Sequence, residues 1–121
     1  MDKELLVLKI TELCKKTYEM AGTNYKNKKV HNQKMKEIHE LFNIEREINY
    51  NNLCEVLNIL INEEDERIIH ISSTQCLRIN HNVKNALKKL KILSNHAMNI
   101  FIKVDATICY KHFIGFGRLP M

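Results

Sequence analysis

The sequence predicts a mainly helical chain carrying a small β-hairpin. Apolar residues recur at spacings of three and four through most of its length, the period of helices that bury one face. With 3 Gly, 1 Pro and no Trp it holds too few turn-formers for a many-stranded sandwich. Its 121 residues, 45% hydrophobic and 27% charged, fit one core and not two, and are too apolar for a disordered chain.

The elements follow in order. Residues 3–21 read as a helix with Leu6, Ile10, Leu13, Thr17 and Met20 on one face, Asp2 as cap and Gly22 as stop. Residues 23–29 are polar and read as a loop. A second helix spans 31–42, with Met35, Ile38, Leu41 and Phe42 facing inward and Asn43 ending it. A third spans 50–61 with Leu53, Val56, Leu57 and Leu60 inside. Its cap is Asn49, or Asn52 with Glu55 as a capping box. After the acidic run Glu63 to Glu66 the pattern changes. Arg67 to Ile71 and Cys76 to Ile79 are short and isoleucine-rich, and Ser72 to Gln75 between them form a polar tip. That predicts a two-stranded hairpin. A fourth helix from 82 to 93 keeps Val83, Ala86, Leu87, Leu90 and Leu93 together. Ile100 to Val104 and Thr107 to Phe113 then read as two strands around Asp105 and Ala106, and a tail follows Ile114.

Three helices, a hairpin and a fourth helix make the layout of a winged helix, a helix-turn-helix variant. Residues 1–95 would form this winged-helix-like domain, and 96–121 a C-terminal extension of β-strands and tail. A helical bundle that merely carries a hairpin has the same element order.

The stretch from Val30 to Leu90, roughly half the chain, resembles the C-terminal winged-helix domain of the origin recognition complex large subunit and its cell-division-control replication-initiator relatives. The resemblance lies in Ile38 to Glu45, then Ile48-Asn49-Tyr50 leading into an apolar helix. It continues in Arg67 to Ile71, Leu77 to Asn80, and Val83 to Leu87. It implies a role in DNA replication initiation, a nuclear location, and contacts with origin DNA or with other subunits of the replication complex. The chain lacks the G-x-x-x-x-G-K-[ST] loop of an ATPase core. Residues 100–113 have no counterpart in that family.

Several function classes are disfavoured. The longest apolar runs are a few residues, against the roughly 20 needed to span a membrane, so no membrane partner is expected. Met1-Asp2-Lys3-Glu4 is not the start of a secretory signal, which points to a reducing, intracellular compartment. Cys14, Cys54, Cys76 and Cys109 lie 20 to 40 residues apart without a C-x-x-C pair, so they read as free thiols packed like small apolar groups. Only Cys109-x-x-His112 has a metal-ligand spacing, and no second pair completes it. The acidic run reads as solvated, and the thiols as inert. The chain is therefore expected to be no enzyme, with no cofactor, metal or small-molecule substrate.

Charge points to a polyanion. The net charge is +5. Five lysines and no acid lie between Gly22 and Lys36, and six bases and no acid between Arg78 and Lys103. The third helix holds no Lys or Arg and is followed by the acidic run, so it is a poor reader of base edges. The expected contacts to the backbone of double-stranded DNA are Lys84, Lys88 and Lys91 on the fourth helix and Arg78 beside them. Lys28 and Lys29 before the second helix, and Ser73, Thr74 and Gln75 at the wing tip, complete the set. About four such charges would weaken binding by roughly 10²-fold between 50 and 200 mM salt. The alternative is a protein–protein adaptor using the acidic run and the open edge of the C-terminal strands. A lysine flank covered by residues 100–113 would favour the adaptor; a free one favours DNA.

Overall fold

A computed structural model describes residues 1–120 of the chain. As Asp2 promises, its Oδ1 accepts from the Leu5 amide at 2.9 Å and starts helix α1, Lys3–Cys14. Leu6, Ile10 and Leu13 are buried. The helix stops well before Gly22. Thr17 donates its hydroxyl to the Cys14 carbonyl at 2.6 Å, and Arg67 donates to the Lys15 carbonyl at 2.8 Å, so orphan carbonyls at this end find side-chain donors.

The chain then doubles back at Gly22, whose φ of 66° needs the freedom of glycine. Strands β1, Met20–Ala21, and β2, Asn24–Tyr25, pair antiparallel with Met20 opposite Tyr25. The small sheet therefore sits between the first two helices and not after the third. It is pinned inward by Tyr25, whose ring stacks on Phe101 at 4.1 Å.

Helix α2, Lys28–Ile48, overruns Asn43 by more than a turn. Asn49 closes it and also caps α3, Tyr50–Leu60, accepting from the Asn52 amide at 3.0 Å. Of the two caps the sequence allows, Asn49 is the one used. Ile38 and Phe42 of α2 join Leu53, Val56, Leu57 and Leu60 of α3 in the core.

The hairpin expected over 67–79 is a single helix, α4, Glu66–Arg78. Asp65 caps it, accepting from the Arg67 amide at 2.9 Å. The supposed polar tip, Ser72 to Gln75, lies in its buried middle. Ser72 donates to the Ile68 carbonyl at 2.7 Å and Thr74 to the Ile71 carbonyl at 2.9 Å. Hydroxyls bonded back to the preceding turn can be buried without losing a partner. Because α4 packs on α1, α3, α5 and α6, nearly its whole circumference is covered, and its polar side chains are buried along with its apolar ones.

The two C-terminal strands are likewise a helix. After α5, Val83–His96, comes α6, Ile100–Phe116. Asn99 caps α6 through the Phe101 and Ile102 amides, and Gly117 ends it at φ 71°. Ile102 and Ala106 are buried in the same core as the rest, with Cys109 and Phe113 packed against it. Of the expected extension 96–121, the described residues 96–120 carry a helix where strands and a tail were expected, and residue 121 lies outside the described residues. The fold is mainly helical, 73% in six helices, with a small two-stranded antiparallel sheet.

Candidate functional site

Helix α5 buries Ala86, Leu90 and Leu93 against α4 and α6. The helical period then carries Lys84, Lys88 and Lys91 to the opposite side, where all three are exposed. None has a carboxylate partner among the described residues. No acid lies between Glu66 and Asp105 in the sequence. Residues 100–116 pack on α5 without covering this flank. Along the axis the three lysines span about 10 Å at 1.5 Å per residue. That is roughly three nucleotides of one DNA strand.

The start of α5 is also distinct. Its capping position, Asn82, has a φ of 52° and makes no side-chain bond to the first turn, whereas the other five helices each have a side-chain cap. Asn82 instead donates to Asn58 Oδ1 at 3.3 Å. The positive end of the helix dipole therefore lies beside Lys84 without a capping oxygen.

The remaining expected contacts do not gather there. Ser73, Thr74 and Gln75 are buried inside α4, 0%, 7% and 3% exposed, and a wing-tip contact to DNA from them is ruled out by that burial. Arg78 ends α4 and donates to His39 Nδ1 of α2 at 3.1 Å, so it is held toward α2. Lys28 and Lys29 are exposed in the first turn of α2, a helix that packs chiefly on α1 and α3 and not on α5. They form a second basic patch.

A feature the sequence reading missed is a polar cleft between α2, α4 and α6. Tyr18, held at φ 51°, donates its hydroxyl to Asp105 Oδ2 at 2.6 Å and its amide to His31 Nδ1 at 3.0 Å. Its carbonyl accepts from Asn99 Nδ2 at 2.8 Å. Since Nδ1 of His31 accepts from an amide, and Nδ1 of His39 from a guanidinium, both rings carry their proton on Nε2. His70 is 4% exposed, and its Nδ1 has no hydrogen-bond partner. Burial pulls the His70 pKa down to about 4, against a smaller upward pull from Asp105. His31 and His39 are lowered for the same first reason. Burial and the Asp105 charge push the Tyr18 hydroxyl well above its ordinary range. The i, i+4 spacing of His70, Thr74 and Arg78 on α4 was the signal available in the sequence, hidden by reading that stretch as strands.

Other candidates resolve plainly. Cys14, Cys54 and Cys76 are buried, and burial pushes the thiols of Cys14 and Cys76 up to about 12 and that of Cys109 up to about 11, far from the thiolate a nucleophile needs. No three His, Cys, Asp or Glu side chains converge on a metal-sized site among the described residues. The acidic run divides its work: Glu63 and Glu64 are exposed, Asp65 caps α4, and Glu66 accepts the Met98 and Asn99 amides at 2.6 and 3.1 Å. No helix among the described residues is long and apolar enough to cross a membrane. No family model, curated protein or solved structure matches the chain.

Proposed function

We propose that the chain is a non-catalytic module that binds the backbone of double-stranded DNA through the exposed flank of α5. One observation carries this reading: Lys84, Lys88 and Lys91 face solvent together, without an acidic partner, beside a helix start that lacks a capping side chain. Nothing from residues 100–116 covers them, which favours DNA over the adaptor. Replication initiation in the nucleus, with other complex subunits as further partners, is the setting that the resemblance of residues 30–90 implies, and it belongs to this proposal. Of the winged-helix assignment, the proposal keeps only a helix-turn-helix scaffold without a wing. The four-residue connection Ile79 to Asn82 between α4 and α5 has the length of such a turn.

A second reading, a protein adaptor, draws support from Ile100, Val104 and Ile108. They recur every four residues on α6 and are 56%, 50% and 50% exposed. It no longer has a free strand edge to offer.

The test is a salt-titrated binding assay on duplex DNA. Three lysine contacts should weaken binding roughly 40-fold between 50 and 200 mM salt. Lys84→Glu with Lys88→Glu should abolish retention while the far-UV spectrum stays unchanged. Retention by the double variant, or a flat salt response, overturns the proposal.

A further inference from the structure

We propose that the cleft between α2, α4 and α6 is a binding site for a small zwitterion, an amino acid or ω-amino acid, with its ammonium group at Asp105 and its carboxylate at Arg78 and His39. This site is independent of the α5 flank and of the DNA reading.

The cleft offers an open cavity of about 180 Å³. That is room for roughly six waters at about 30 Å³ each, so a nucleotide is too large. Its lining is bipolar. Asp105 of α6 stands at one end, fixed by the Tyr18 hydroxyl at 2.6 Å. Arg78 lines the same cavity, steadied through His39 at 3.1 Å. These opposite charges do not pair with each other, and neither has another ionic partner among the described residues.

Arg78 is exposed and Asp105 half-buried, so both charges are open to a ligand. A ligand carrying both signs compensates each end. A simple anion or a simple cation answers one charge and leaves the other unpaired. His39, which accepts from Arg78 through Nδ1, lines the same end of the cavity.

His70, 4% exposed, forms the buried wall at the Asp105 end. Ile108 forms part of the wall and suits a short methylene linker. His70, Thr74 and Arg78 occupy successive turns of α4, about 6 Å apart along the axis. A ligand reaching from the Asp105 end toward Arg78 therefore needs several methylenes between its charges.

The experiment titrates the full chain by calorimetry with glycine, β-alanine, 4-aminobutyrate, 5-aminovalerate and 6-aminohexanoate, beside butyrate and butylamine. The expected result is saturable binding with an optimum at intermediate length, at least about tenfold tighter than either single-charge analogue. Asp105→Asn and Arg78→Gln should each weaken the best ligand by a similar factor, and Lys84→Glu with Lys88→Glu should leave it unchanged. Should Asp105→Asn fail to fold, Arg78→Gln at the exposed end of α4, together with Ile108→Trp to fill the cavity, carries the test. No saturable binding by any member overturns the proposal. So does butyrate binding as tightly as the amino acids, which would make the cleft an oxyanion site only.

Discussion

The hydroxyl of Tyr18 and the carboxylate of Asp105 meet at 2.6 Å across 87 residues of sequence, joining the turn after α1 to the middle of α6. Through its amide and carbonyl the same tyrosine also holds α2, at His31, and the α5–α6 connection, at Asn99. A tyrosine with φ of 51° is uncommon and costs on the order of 1 kcal/mol. Those bonds offset that cost by fixing the backbone where three elements converge.

Tyr18→Phe removes the hydroxyl and keeps the ring against His31 and His70. A hydrogen bond to a charged acceptor contributes about 1.5–3 kcal/mol. The variant should lose about that much in urea denaturation. A change below about 0.5 kcal/mol would show that the bond does not hold α6 in place.

Stability should fall as the solution is acidified through the range of the His70 titration. Above pH 6.5 the ring is neutral in both states. Between 6.5 and about 4 only the unfolded chain takes the proton, so folding loses on the order of 3 kcal/mol across that window. Below about 4 this group adds no further loss. His31 and His39, lowered in the same direction, steepen the slope. Within the fold the charges acting on His70 are Asp105 of α6, which favours protonation, and Arg78 of its own helix, which opposes it. Denaturation midpoints from pH 8 to pH 4 should show the loss, and His70→Leu should make the curve shallower.

Ser73→Pro separates a buried helix from a wing. At a hairpin tip a proline would be tolerated. In the middle of α4 it removes a helical hydrogen bond and collides with the preceding turn, at about 3 kcal/mol or more. The expected result is loss of the folded far-UV spectrum. A well-folded variant would contradict the helix.

Leu57→Ala tests the core that all readings share. Leu57 is fully buried between α3 and its neighbours, and its truncation should cost about 2–5 kcal/mol, read as a lower denaturation midpoint with an unchanged slope.

Where one face of an element is solvated, its period was legible. The Leu6, Ile10 and Leu13 face of α1, the Leu53 to Leu60 face of α3 and the Ala86 to Leu93 face of α5 are buried as the spacing foretold. The lysine flank of α5 follows from the same arithmetic, because residues opposite a buried stripe must face water. The pattern failed for α4 and α6. Ile68, Ile69 and Ile71 with a polar tetrapeptide after them imitate a strand and turn, and Ile100, Val104 and Ile108 fill the polar face that would have marked α6 as a helix. The cleft was invisible for a related reason: Tyr18, His39, His70, Arg78 and Asp105 come from four separate segments.

The sequence by itself determined that this chain is mainly helical, that its first helix begins at Asp2, and that α5 presents lysines to solvent. Those follow from local capping and from the 3.6-residue period, which act within a few turns of chain. Only the tertiary structure decided that residues 66–78 bury themselves as a central helix, that the small sheet lies at Met20 to Tyr25, and that Asp105 and Arg78 face one cavity. Buried polar side chains in α4 imitate a turn in the local pattern, and convergence of distant segments leaves no local signal.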